Sequence, residues 1–203
     1  MSEKTVIDLL RHGEPLGGRR YRGQIDDPLS EKGWSEMWHA VSGETPWQLI
    51  ITSPLRRCSE FADQLSERLS LPLYRDERLK EVGFGAWEGL THQQLRERDA
   101  DILTRFYLDP QHNRPEDAET LESLNQRVAQ AFDQAVSEHR GKHLLIIAHA
   151  GVIRSLLTRT LNAPPSHMYR LSIGTASFSR IEITPERPPT VMFVCRRRLS
   201  GAC

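Results

Sequence analysis

Cysteine is scarce in this 203-residue chain, and Cys58, Cys195 and Cys203 are odd in number and far apart. That excludes a disulfide framework and offers no metal-ligand spacing. An excess of charge of one sign is also missing. Lysine and arginine total 27, aspartate and glutamate total 27, and the formal net charge is zero. The chain therefore lacks the basic excess of a nucleic-acid binder. No apolar run approaches the ~20 residues of a membrane-spanning helix. The start, Met1-Ser2-Glu3-Lys4-Thr5, has no secretory profile. Neither an internal repeat nor a low-complexity segment is visible. Together these absences predict a cytoplasmic protein of one domain, residues 1–203, with an ordinary core and no nucleic-acid or membrane partner. A homodimer stays open.

What is present is a set of short apolar runs that end in polar, chemically capable residues. Val6, Ile7, Asp8, Leu9 and Leu10 lead into Arg11-His12-Gly13-Glu14. The run reads as a buried strand closed by glycine. Arg11 and His12 then stand at its carboxyl end, where open α/β sheets bind ligands. Leu144 to Ala148 is a second such run, ending in His149-Ala150-Gly151 and followed by a helix from about Ala150. If the two strands are parallel neighbours, both histidines face one crevice. The helix would aim free backbone N–H groups at the same place.

A third strand, Leu49 to Thr52, precedes Ser53-Pro54-Leu55-Arg56-Arg57-Cys58. Serine suits an N-cap and proline a first helical position. Leu55, Cys58, Ala62, Leu65 and Leu69 recur at helical spacing, which makes Cys58 a core residue. Arg57 falls in the first turn, where a cation opposes the helix macrodipole. Such a local conflict is expected at a functional site. Arg56 reads as solvated.

The stretch Leu79 to Gly89 holds three glycines and two aromatics and reads as a shaped loop. Glu81 or Glu88 in it could supply a proton. Glu14 either holds Arg11 or Arg57 in place or caps a turn.

Elsewhere, Ser30 caps a helix with Trp34, Met37, Trp38 and Val41 on one face. Leu121 to Val136 forms a long amphipathic helix, and Leu71 to Tyr74 a short strand. Two strands close the chain, near Ser177–Ile183 and Val191–Cys195, with a turn at Pro185 to Pro189. The alternation predicts an α/β fold, a three-layer α/β/α sandwich with a mainly parallel sheet. Residues 76–119 break the alternation and read as a small, mostly helical cap insertion, with helix from His92 to Tyr107. Phe84 and Trp87 are candidates for an apolar wall. Phe106 and Tyr107 read as packing. His39, His92, His112, His139, His143 and His167 read as surface or cap residues. Arg196-Arg197-Arg198 reads as a solvated tail.

The four motifs together resemble the histidine phosphatase superfamily, the phosphoglycerate mutase-like group. They are Arg11-His12-Gly13-Glu14, Ser53-Pro54-Leu55-Arg56-Arg57, Glu81 ahead of Phe84-Gly85-Ala86-Trp87-Glu88-Gly89, and Ala148-His149-Ala150-Gly151. They stand in the family's order, and the resemblance runs from Val6 to about Phe193. It implies that His12 is the phosphorylated nucleophile and that Arg11, Arg57 and His149 complete the phosphate pocket. Glu81 would be the general acid, with Gly18, Gly23, Gln24 and Ala150 among the substrate contacts. The form of the acid loop and the run Arg22 to Ser30 lean toward alpha-ribazole phosphatases of cobalamin biosynthesis. Pro15 and Gly18 depart from the threonine and asparagine frequent in the family. A backbone N–H of Gly17 or Gly18 would have to replace the asparagine's contact.

A phosphate monoester carries close to two negative charges. Arg11 and Arg57 can hold it by charge-assisted hydrogen bonds. His12 must be neutral to attack, with its tautomer set by a carbonyl on the other nitrogen. The two arginines are expected to depress its pKa. No step requires a metal or cofactor. The leading reading is a phosphomonoesterase of a small phosphorylated metabolite. A phosphoglycerate mutase is the alternative within the fold, and a catalytically silent binding protein is the alternative outside enzymes.

Overall fold

The computed structural model describes residues 4–199. The first three residues and Cys203, both used above, lie outside that range. The elements run β1 (Thr5–Arg11), α1 (Glu31–Ala40), β2 (Leu49–Thr52), α2 (Arg56–Leu69), β3 (Leu73–Arg75), α3 (His92–Arg98), α4 (Ile102–Leu108), α5 (Leu121–Glu138), β4 (His143–Ala148), α6 (Ala150–Thr160), β5 (Phe178–Thr184) and β6 (Arg187–Arg196). The sheet order is β3-β2-β4-β1-β5-β6. The first four strands are mutually parallel, and β5 and β6 add an antiparallel edge.

Both faces of the sheet are covered, which explains why β1 and β4 are apolar almost throughout. Alternate residues serve opposite cores. Ile7, Leu9, Leu144 and Ile146 pack with Leu124, Val128, Phe132, Val152 and Leu156 of α5 and α6. Leu10, Ile50, Leu145 and Ile147 pack with Met37, Ala40, Cys58, Phe61 and Leu65 of α1 and α2. Ser30 caps α1 by accepting from the Gly33 N–H, as its sequence position predicts.

Several expectations need correction. Helix α2 begins at Arg56 with Leu55 as N-cap, not at Ser53. The Ser53 hydroxyl accepts from the Leu55 N–H at 3.3 Å and lies 2.7 Å from His149 Nε2. The stretch His92 to Tyr107 is two helices. The Asp99 carboxylate accepts from the Asp101 N–H and pairs with Arg105, and such a side-chain bond competes with the helix. Pro188 and Pro189 belong to β6 rather than to the turn. They are tolerated because β6 is an edge strand.

His143 is not a surface residue. It opens β4 and sits 2.8 Å from the fully buried Asp8 carboxylate, which also accepts from Trp47 Nε1 and Arg180. Burial alone would raise the Asp8 pKa, but hydrogen bonds from His143 and Arg180 outweigh it and hold the carboxylate below its ordinary range. Arg196 lies in β6 with its guanidinium over Phe193, and Arg198 donates to Ser42. Neither belongs to a free tail. Among the described residues no helix is long and apolar enough to cross a membrane.

Candidate active site

The pairing of β1 with β4 puts Arg11 opposite Ala148, so that His12 and His149 leave adjacent strand ends together. The His12 N–H donates to the Ala148 carbonyl at 3.1 Å. The two imidazole rings meet edge to face, 5.2 Å between centroids. Above His12 opens a cavity of about 460 Å³ whose floor includes Arg11, Arg57, Glu81, Ala150 and Gly151.

His12 is 4 % exposed. Its Nδ1 donates to the Gly13 carbonyl at 2.7 Å, which leaves Nε2 with a free lone pair. Its pKa lies well below the ordinary histidine value. Burial is the largest cause, and Arg11 and Arg57 add to it. From the sequence, only the arginines were expected to lower it. His149 is pushed the same way, by burial first and then by Arg57. It is fully buried behind the cavity wall, which Ala150 and Gly151 form at that point.

Both arginines are fixed by backbone carbonyls rather than by carboxylates. Arg57 is 1 % exposed and donates to Ile25 O at 2.7 Å and Gly23 O at 2.8 Å. Arg11 donates to Ile173 O at 2.6 Å. The Nε atoms of both are buried without a hydrogen-bond partner among the described residues. Burial draws the Arg11 pKa down to about 10, against a smaller opposing effect of Glu81, so it is still a cation at neutral pH. Two desolvated guanidiniums with spare donors beside a neutral imidazole form a strong oxyanion site.

Glu81 and Glu88, indistinguishable by type, separate here. The Glu81 carboxylate lines the cavity and accepts from the Gly151 and Val82 N–H groups at 3.0 and 2.9 Å. Gly151 starts the second residue of α6, and a Cβ there would overlap that carboxylate. Glu88 faces away. It accepts from the Phe84 and Gln24 N–H groups and packs on Gly23, whose φ of +52° and lack of a Cβ permit the approach. Arg127 of α5 braces the loop by donating to the carbonyls of Arg78, Lys80 and Glu81, while pairing with Glu119.

The remaining candidates divide. Gly18 and Gly23 line the cavity, whereas Gln24 does not and instead donates to the Glu81 carbonyl. Glu14 lines it but holds neither arginine, since its carboxylate is bonded to Lys32 at 2.7 Å. Phe84 and Tyr107 reach the cavity, while Trp87 and Phe106 pack behind it. Tyr107 is thus wall rather than packing alone, and its hydroxyl is 2.9 Å from that of Tyr21. His92, read above as a surface or cap residue, also lines the cavity beside Tyr21. Arg154 and Tyr169 were missed. Arg154 follows Ala150 by four residues, one helical turn, and that spacing was the available signal. Cys58 is buried core, 3.6 Å from His149 Nε2, and burial pushes its thiol pKa up. Among the described residues no three His, Cys, Asp or Glu side chains are grouped to hold a metal ion.

The two depressed histidines make stability depend on pH. Below about pH 6.5 the unfolded chain protonates both while the folded state keeps both neutral. Stability therefore falls with falling pH, by about 2.7 kcal/mol per unit for two such groups. Urea midpoints between pH 7.5 and 5.5 are expected to drop steeply, and to drop less steeply in His149→Gln. A flat profile would contradict the burial of neutral imidazoles.

A family model described as "Histidine phosphatase superfamily (branch 1)" matches residues 7–195. A bifunctional protein of Mycobacterium tuberculosis is 31% identical over 195 residues, 94% of this chain and 53% of that protein, so the chain spans about half the length of that relative. An uncharacterized phosphatase, PhoE, of Bacillus subtilis is 31% identical over 97% of this chain and 98% of its own. The adenosylcobalamin/alpha-ribazole phosphatase of Salmonella typhimurium is 27% identical over 86% and 89%. Among solved structures, a mycobacterial glucosyl-3-phosphoglycerate phosphatase superposes with a TM-score of 0.85 at 26% identity, covering 95% of this chain and 99% of its own.

Proposed function

Because the chain belongs to the histidine phosphatase superfamily, and has phosphatases among its relatives, we propose that it hydrolyses a small phosphorylated metabolite through a phosphohistidine at His12. One observation carries this reading: a neutral His12 with Nε2 free, between the half-buried Arg11 and the buried Arg57, neither of which has a carboxylate partner among the described residues. Nε2 attacks phosphorus as the bond to the leaving oxygen breaks, and Glu81 gives that oxygen its proton. Arg11 and Arg57 hold the phosphoryl oxygens, and His149, packed edge to face on the His12 ring and bonded to Ser53, supports them from behind the cavity wall. Water then attacks the phosphohistidine, Glu81 takes its proton, and inorganic phosphate leaves. Residues 76–119 act as the cap, supplying Glu81 and an apolar wall from Phe84 and Tyr107.

Measuring phosphate release from p-nitrophenyl phosphate, and then from a panel of phosphorylated metabolites, tests the reading. The Salmonella relative brings alpha-ribazole 5′-phosphate into that panel, and the mycobacterial structure brings glucosyl-3-phosphoglycerate. No release from any member would sink it.

Charge compensation by arginine makes the reaction independent of a metal ion. Dialysis against a strong chelator is expected to leave the rate unchanged. A large loss that magnesium or zinc restores would overturn this part of the proposal.

A further inference from the structure

The cavity carries more positive charge than one phosphoryl group needs. Arg11, Arg19, Arg20, Arg22, Arg57 and Arg154 line it. Among the described residues only Arg22 of these is ion-paired, to Asp27 at 2.9 Å. The lining carboxylates are Glu14, which Lys32 already neutralises, and Glu81. A phosphate monoester brings close to two negative charges, and Arg11 and Arg57 match them. The surplus lies farther out.

Arg154 is held in a defined pose. Its Nε donates to Leu171 O at 2.8 Å, and its guanidinium lies 5.5 Å from the centre of the Tyr169 ring. These contacts orient the fork, while its two Nη atoms have no protein partner among the described residues. Arg19, in the loop between Gly17 and Tyr21, has none either. Both arginines repel the charge on Arg11, which marks them as part of one field. Several like charges around one space, oriented but unneutralised, favour an anionic ligand there.

We propose that Arg154, assisted by Arg19, forms a subsite for a second oxyanion on the leaving group. The substrate is then the phosphomonoester of an acidic small molecule, bearing a carboxylate or a second phosphate beside the ester that is cleaved. Phe84 and Tyr107 flank its carbon skeleton. The inference rests on the phosphomonoesterase reading and narrows it. Alpha-ribazole 5′-phosphate, whose leaving group is an uncharged nucleoside, would leave this fork unmatched.

Three ligands of one skeleton test it: glycerol 3-phosphate, 3-phosphoglycerate and glycerol 1,3-bisphosphate. Their binding is measured by calorimetry on the full chain carrying His12→Asn, which blocks turnover, and their kcat/KM on the unmodified chain. At least one of the two ligands with a second oxyanion is expected to bind about tenfold tighter than glycerol 3-phosphate, as for one charge-assisted contact. Whichever gains tells carboxylate from phosphate. Arg154→Gln, added to either background, is expected to bring the ratio close to one, and Arg154→Lys to restore part of it. Equal binding of all three ligands, or a ratio unchanged in Arg154→Gln, overturns the subsite. If Arg154→Gln does not fold, the comparison of ligands and Arg154→Lys still decide. Absence of turnover with any phosphate ester, while the ligands still bind in this order, would instead defeat the phosphomonoesterase reading and leave the subsite standing.

Discussion

Replacing His12 with alanine is expected to abolish phosphate release, by at least about a thousandfold, as for loss of a nucleophile from a concerted site. Brief exposure of the unmodified chain to labelled substrate, quenched in base, is expected to leave the label on His12. The geometry behind this is specific. Nδ1 is committed to the Gly13 carbonyl, so attack falls to Nε2, and burial keeps the ring neutral without help from bulk pH. Cys58 is the nearby rival, but burial disfavours its thiolate and it packs in the core beneath. Label on Cys58 or on Ser53 would overturn the assignment. His12→Asn, close in size, guards against a merely structural loss, and circular dichroism of both variants checks the fold.

Glu81→Gln is expected to cost about a hundredfold or more on alkyl phosphates, where the leaving oxygen must receive a proton. The loss is expected to be far smaller on p-nitrophenyl phosphate, whose phenolate departs unaided. Glu88→Gln is expected to show a mild effect without that dependence on the leaving group. The reason is placement: the Glu81 carboxylate borders the cavity at the Gly151 N–H, while Glu88 accepts from backbone N–H groups of Phe84 and Gln24. If the two variants exchange behaviour, Glu88 is the acid and the assignment of this loop is wrong.

Much of the site was legible because the relevant signals are local. A strand that will be buried on both faces must be apolar along its length, so β1 and β4 announce themselves, and the polar residue after each stands at a strand end. A helix that starts after a strand places its first turn at the same edge, which brought Arg57 into the site although Ser53 proved not to be its cap. That Gly151 leaves room for the Glu81 carboxylate is visible only in the structure. The acid loop was legible as a loop, and the family resemblance pointed to Glu81, while the residues by themselves left Glu81 and Glu88 open. That choice depends on which way the chain turns after Leu79, and Arg127 and Glu119, some 40 residues on, hold the turn.

By itself the sequence determined the α/β class, the two strand-end histidines, the two arginines and the family likeness. These follow from hydrophobic period, from breakers and from short motifs, which act within a few residues. Only the tertiary structure decided which strands are neighbours, that Asp8 and His143 pair across the sheet, and that Glu81 borders the cavity while Glu88 ties backbone N–H groups away from it. It also brought His92, Tyr107 and Arg154 to the cavity wall. Each of these is a contact between residues distant along the chain, chosen by the packing of whole elements, and no local pattern of side chains encodes it.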